Sequence, residues 1–272
     1  MISTRIGSSL AALGIVACAL VSCASVASPP PAAVPPPAAG VPDYQLGDAY
    51  PPDDRVTIVG RDRSAEPAEG LYSICYVNGF QTQPAERDEW PEELLLRSAD
   101  GEPVIDPGWP DEVILDTGST AKRQAIADIV GPWIEGCAAS GFHAVEFDNL
   151  DTFTRTGGAL TLEDNLALAA MLVDVAHGAG LAAGQKNAAE FASDLRGAAG
   201  FDFAVTEECA AYDECASYAD VYGSAVIDIE YTDALPRTFD EMCADPGSPS
   251  SMVLRDRQLS APGDPDHVFA VC

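Results

Sequence analysis

Positive charge is what this 272-residue chain has least of: 14 Lys and Arg stand against 43 Asp and Glu, for a formal net charge of −29. A phosphate backbone needs the opposite field, so nucleic acid is excluded as a partner, whereas a cationic ligand is drawn in. The same acidity also serves solubility. Histidine is scarce, His143, His177 and His267 show no paired ligand spacing, and no Cys-x-x-Cys occurs, which leaves no grounds for a zinc site. We expect neither metal nor cofactor. The absence of a Gly-x-Ser-x-Gly elbow removes support for a serine hydrolase. The glycines of Gly178-Ala179-Gly180-Leu181-Ala182-Ala183-Gly184 follow a helical pattern and enter a strand pattern, the reverse of the order in a dinucleotide loop.

The one long apolar stretch outside the body of the chain runs from Leu10 to Val21 behind Arg5 and ends in Leu20-Val21-Ser22-Cys23. It is too short for a convincing membrane span and reads as an export signal over residues 1–22. The Leu-x-Ser-Cys ending resembles a bacterial lipobox, which implies cleavage before Cys23, lipidation of its thiol, and membrane contact through that anchor alone on the extracellular face. Ordinary secretion, with cleavage near Ala24 to Ser28, is the alternative. Residues 23–40 then form a spacer, almost entirely Pro and Ala from Ser28 onward, and residues 41–272 are long enough for one domain with a single core. Six further cysteines remain, Cys75, Cys137, Cys209, Cys215, Cys243 and Cys272. An even number in an exported domain favours disulfides, although many pairings are open. The preferred set is Cys209 with Cys215 as a local loop, Cys243 with Cys272 fastening the C-terminus, and Cys75 with Cys137 by elimination.

Apolar runs recur at residues 56–59, 72–77, 113–115, 144–147, 181–184, 203–205, 225–229 and 251–254, with Tyr44-Gln45-Leu46 as a ninth candidate. Helical stretches separate many of them. The clearest spans residues 162–177 behind Thr161 as cap, and another is expected from Ser119 or Thr120 to Ala139, kinked or divided by Pro132. Near-continuous apolar strands alternating with helices predict an α/β fold with a buried parallel sheet, a (β/α)8 TIM-barrel-like single domain with one strand to spare.

Several of these runs end in acids. Ala144-Val145-Glu146-Phe147-Asp148-Asn149-Leu150-Asp151 carries three carboxylates and a carboxamide, and Glu146 and Asp148, two apart, share a face of a strand. Phe203-Ala204-Val205-Thr206-Glu207-Glu208 repeats the pattern. Barrels place their chemistry at the C-terminal ends of their strands, so these acids are expected to converge, and paired carboxylates there suggest glycoside hydrolysis. Further strand ends contribute Asp62, Asp116, Lys186 with Asn187, and Glu230 with Tyr231, an acid-rich set suited to sugar hydroxyls and ammonium groups.

In Ile74-Cys75-Tyr76, the Trp109 to Asp116 segment, Gly141-Phe142 through Asp148-Asn149-Leu150-Asp151, Lys186-Asn187, Phe203 through Glu207 to Cys209, Tyr212 to Cys215, and Ile229-Glu230-Tyr231, the chain resembles glycoside hydrolase family 114, the endo-α-1,4-polygalactosaminidase-like barrels. The resemblance covers roughly Tyr44 to Arg257. It implies an exported endo-acting glycosidase of retaining mechanism, acting on an α-1,4-linked, partly deacetylated and therefore cationic galactosamine polymer. The family's two catalytic carboxylates fall on Asp148, taken as nucleophile, and Glu207, taken as acid/base, with the reverse assignment open. Asp62, Tyr76, Asp116, Glu146, Asn149, Lys186, Asn187, Glu230 and Tyr231 are expected to bind substrate. The chain departs from the family at Phe147, where proline is common, and at Thr206 and Glu208, beside the second carboxylate; Glu208 is placed to alter the pKa of Glu207. Two rival readings are a carbohydrate-binding protein on a degenerate barrel and a calcium or magnesium site built on Glu146, Asp148 and Asp151.

Overall fold

The computed structural model of the chain describes residues 1–3 and 33–272. Residues 4–32, with most of the expected signal and Cys23, lie outside the described residues. Eight parallel strands follow one another in space as in sequence: β1 Pro42–Gln45, β2 Ile58–Asp62, β3 Tyr72–Asn78, β4 Ala144–Asp148, β5 Ala182–Lys186, β6 Phe203–Glu207, β7 Val226–Tyr231 and β8 Ser251–Arg255. A ninth, β9 Phe269–Val271, runs antiparallel on β8. The helices α1 Thr120–Ser140, α2 Leu162–Gly178, α3 Ala192–Asp194, α4 Cys215–Tyr222 and α5 Phe239–Cys243 follow β3 to β7 in turn. The result is a nearly closed TIM-barrel-like fold.

Alternation along the strands sorts the two cores. On β4, Val145 and Phe147 face the helices and join their packed layer, while Ala144 faces the barrel axis with Ile58, Ile74, Phe203, Ile227 and Val253. The interior has little spare room. A side chain on Gly184 of β5 would lie 2.5 Å from the Phe203 ring, and one on Gly60 of β2 would lie 2.6 Å from the Tyr44 ring. Gly184, in the segment that mimics a dinucleotide loop, is therefore a packing glycine.

The barrel is not closed by a strand ladder. The edge of β8 that would meet β1 instead carries β9. The seam is spanned by the fully buried Arg255, whose guanidinium pairs with Asp43 Oδ1 at 2.9 Å, donates to the Tyr44 carbonyl, and reaches the carbonyls of Val268 and Ser260, each at 2.9 Å. The Cys243–Cys272 disulfide holds the end of β9 to α5, Cys75–Cys137 ties β3 to α1, and Cys209–Cys215 closes the loop after β6. All three are the preferred pairings. At the opposite end of the chain, residues 33–40 lie under the barrel floor: Tyr72 donates to the Val34 carbonyl at 2.5 Å, and Gly40 packs on Ile58.

Two expectations are corrected. Residues 113–115 form no barrel strand; they are buried in an excursion between β3 and α1, where isolated bridges join them to Gln81, Leu95 and Ile105. A run of three apolar residues satisfies burial there as well as in a sheet. The spare strand is instead β9, which lies in the apolar run 268–272 at the end of the chain. Of the two outcomes expected at Pro132, division does not occur: α1 runs through it for 21 residues, with Pro132 on the exposed face, where the carbonyl it leaves unpaired meets solvent.

Candidate active site

Four neighbouring strands end in Asp148, Lys186, Glu207 and Tyr231, each on the inward face of its strand. The chain then turns sharply through left-handed residues, Asn149 (φ 62°), Asn187 (φ 49°) and Glu208 (φ 61°). Side chains other than glycine pay for this conformation, and such residues cluster at functional sites. Here the turns leave the last inward side chain of each strand aimed into an open cavity of about 620 Å3 at the barrel mouth.

Lys186 is the hub. Its Nζ, almost fully buried, lies 3.4 Å from Glu207 Oε2, 3.7 Å from Asp148 Oδ2 and 3.4 Å from Glu146 Oε1. Burial alone would discharge the ammonium, but the three carboxylates outweigh it and hold its pKa well above the usual value. Asp148 accepts from Tyr76 Oη at 2.8 Å and from the Asn149 amide at 2.6 Å. Glu207 accepts from Tyr231 Oη at 2.5 Å and from Asn187 Nδ2 at 2.9 Å. Burial pushes the Glu207 carboxyl up, yet Lys186, Tyr231 and Asn187 together bring it below the ordinary value.

Of the expected substrate-binding residues, Tyr76, Asn149, Lys186, Asn187 and Tyr231 line the cavity with Asp148 and Glu207. The other four lie elsewhere. Glu146 points into the barrel but two residues below Asp148, fully buried and outside the cavity wall. Glu230 neighbours Tyr231 on β7 and so faces the opposite side of the sheet, where it accepts from the amides of Ala210 and Ala211 at 2.9 and 3.1 Å. Asp116 follows the excursion rather than a barrel strand; it is paired with Lys122 at 2.5 Å and caps the Gly118 amide at 3.0 Å. Asp62 does end β2, but it is turned to Ser64 and borders a separate surface cleft.

Sequence reasoning missed Tyr44, Glu112, Arg155 and Arg257. Tyr44 donates to Glu146 at 2.7 Å from β1, and its place on an inward strand position was the available signal. Glu112 lines the cavity from a loop and Arg155 from the short 3-10 helix Thr152–Arg155 after β4, Arg155 bridging Asp106 and Asp151 at 2.9 Å each. Arg257 grips Glu208 in a two-pronged pair at 3.0 and 2.9 Å and stacks 4.2 Å from the Tyr231 ring centre. Glu208 is thus held by Arg257, which it shares with Asp233 at 2.7 Å. The residues suggested for a calcium or magnesium site are likewise occupied, Glu146 and Asp148 by Lys186 and Asp151 by Arg155. Among the described residues, the one cluster with ligand-like spacing is Cys209, Cys215 and Asp228, and its two thiols are spent in a disulfide.

Two carboxylates that share one ammonium at the mouth of a parallel barrel belong to the chemistry of glycoside hydrolases. The chain matches glycoside-hydrolase family GH114 over residues 23–272 and is a member of that family. Among solved structures it is similar to Ega3 of Aspergillus fumigatus, crystallised in complex with galactosamine, at a TM-score of 0.69 and 22% identity, covering 87% of this chain and 96% of that one. It is also similar to the glycoside hydrolase domain of PelA from Pseudomonas aeruginosa, at a TM-score of 0.55 and 15% identity, with 85% and 99% covered. No curated protein matches the sequence significantly. At these identities the structural likeness concerns the fold.

Proposed function

We propose that this enzyme is an exported, endo-acting glycoside hydrolase that cleaves galactosamine-rich polysaccharide at α-1,4 linkages by a retaining mechanism. The observation that carries the mechanism is the sharing of Lys186 by Asp148 and Glu207, which bounds the gap between their facing oxygens at about 7 Å. That bound is compatible with the roughly 5–5.5 Å separation of a retaining pair. In this reading the Asp148 carboxylate attacks the anomeric carbon while Glu207 gives its proton to the leaving oxygen. Glu207 then takes a proton from the incoming water, whose oxygen displaces Asp148 and regenerates both groups. Because Glu207 rests as the anion, it takes up a proton before it acts as acid, and turnover rises as pH falls toward the carboxylate range.

The substrate class rests on charge and on the family. The cavity wall carries five acids, Asp106, Glu112, Asp148, Asp151 and Glu207, against the three cations Arg155, Lys186 and Arg257, and the chain as a whole is strongly acidic, so the net field favours protonated amines on the polymer over neutral acetamides. Ega3, of the same fold, is the protein crystallised with galactosamine. Three disulfides fit an oxidising compartment, and the anchor at Cys23 is part of the proposal, to be read from the mass of the mature N-terminal peptide.

Azide rescue tests the roles. Asp148→Gly should be reactivated by azide to give a glycosyl azide of inverted anomeric configuration, and Glu207→Ala to give one of retained configuration. The opposite pattern exchanges the two roles. Near-normal hydrolysis by either variant without azide rejects the pair.

A further inference from the structure

Glu146 is a buried acid that the chemistry above does not use. It sits on the inward face of β4, two residues below Asp148, and its side chain does not reach the cavity. Its Oε1 accepts from Tyr44 Oη at 2.7 Å and faces Lys186 Nζ at 3.4 Å, while Lys186 Nζ donates to the same Tyr44 oxygen at 3.2 Å. The three groups form a closed triangle under the floor of the site. Glu146 Oε2 has no protein partner and borders a void of about 10 Å3, close to the size of one water.

We propose that Glu146 is a positioning residue for the catalytic pair, holding Lys186 from below and so setting how much of its positive charge reaches Asp148 and Glu207. The inference rests on the assignment of that pair. The ammonium is nearly equidistant from Glu146 and Glu207 and a little farther from Asp148, so a charge gained or lost on Glu146 is felt by both. Every titratable group near Glu146 belongs to this same network: Tyr44 from β1, Tyr76 from β3, Asp148 on its own strand, Lys186 from β5, and Glu207 from β6 with Tyr231 of β7 bonded to it. Asp43, beside the void, is paired with Arg255. Lys186 is thus the one cation facing Glu146 among the described residues.

Burial dominates Glu146 and lifts its carboxyl to about 7, against the pull of Lys186 and Tyr44. Below that pH it is neutral, and Lys186 serves the catalytic pair alone. Above it the new charge competes for the ammonium, raises the proton affinity of Glu207, and lets it keep its proton to higher pH. The residue therefore broadens the alkaline side of the activity profile.

Glu146→Gln fixes the neutral state with little change of shape. The ratio of variant to wild-type kcat/KM on a galactosamine polymer is expected to fall by about three- to tenfold between pH 5 and pH 8, the effect of a nearby charge worth up to roughly one pH unit. KM should change less than twofold. Glu146→Asp should recover part of the lost alkaline activity. Tyr44→Phe, which removes the hydroxyl favouring the Glu146 anion, should displace the wild-type inflection to higher pH and supplies the test if Glu146→Gln fails to fold. A ratio constant across pH overturns the proposal and makes Glu146 a packing residue; a raised KM at every pH overturns it in favour of substrate contact. Retained activity in Asp148→Asn removes instead the pair on which the inference rests.

Discussion

Replacing Lys186 by methionine keeps most of the side-chain volume and removes the ammonium that three carboxylates share. Lys186 and Glu146 are essentially buried and the Glu207 side chain is less than a third exposed, so water screens the remaining charges poorly. Removing one partner of a buried ion pair costs about 3–5 kcal/mol because the other charge is left unmatched, and in a domain of this size each kcal/mol lowers Tm by about 2–4 °C. A loss of about 6–20 °C is expected at pH 7. The dependence on pH is the sharper test. In the wild type the depressed pKa of Glu207 contributes stability above its unfolded value, and that contribution is lost as pH falls through the lower folded value. In the variant, Tyr231 and Asn187 still favour the anion but no cation opposes burial, so the same carboxyl rises and the stability it contributes above its unfolded pKa is diminished. Calorimetric scans from pH 4 to pH 8 should therefore show the two proteins converging at the acid end and diverging steadily toward neutrality. A gap of constant size across that range would refute the charge-matching role of Lys186 and leave only lost packing.

Arg257→Ala strips Glu208 of its fork and should lower Tm by several degrees at pH 7, while Arg257→Lys restores only part of the loss, since a point charge cannot replace the two-pronged pair; equal recovery by Lys would mean that charge alone matters. Cys272→Ser removes the disulfide holding β9 and should cost about 2–4 kcal/mol, with amide exchange accelerated first in residues 251–255 beside the seam; uniform acceleration across the barrel would contradict a local role. Rising ionic strength should reduce activity more on deacetylated than on fully acetylated polymer. Neutralising Asp106, Glu112 and Asp151 should narrow that difference, whereas Asp62→Asn, Asp116→Asn and Glu230→Gln, all off the cavity, should not; equal effects of both sets would assign the charge to solubility.

The barrel was legible because its buried strands are continuous apolar runs that stop in polar residues, and Asp148, Lys186, Glu207 and Tyr231 stand where those runs stop. What sequence spacing does not carry is depth. Glu146 and Asp148 share a face and chain direction puts Asp148 nearer the mouth, yet only the stagger between neighbouring strands fixes whether the layer holding Glu146 also reaches the cavity. Adjacency misled in a second way at Glu230 and Tyr231, since neighbouring residues on a strand cannot both face the axis. Arg257 and Glu112 come from loops, whose course follows no hydrophobic period. Residues 113–115 show the limit of short apolar runs, which report burial without saying in which layer.

Residues 33–40 lie beneath the floor, at the starts of β2 and β3, so the described domain begins on the side opposite the cavity. Attachment to a surface through that end would leave the open rim on the far face of the barrel from its point of attachment. A long polymer could then be gripped along its middle without passing between the protein and its support, and cut fragments would leave into open solvent rather than along the surface.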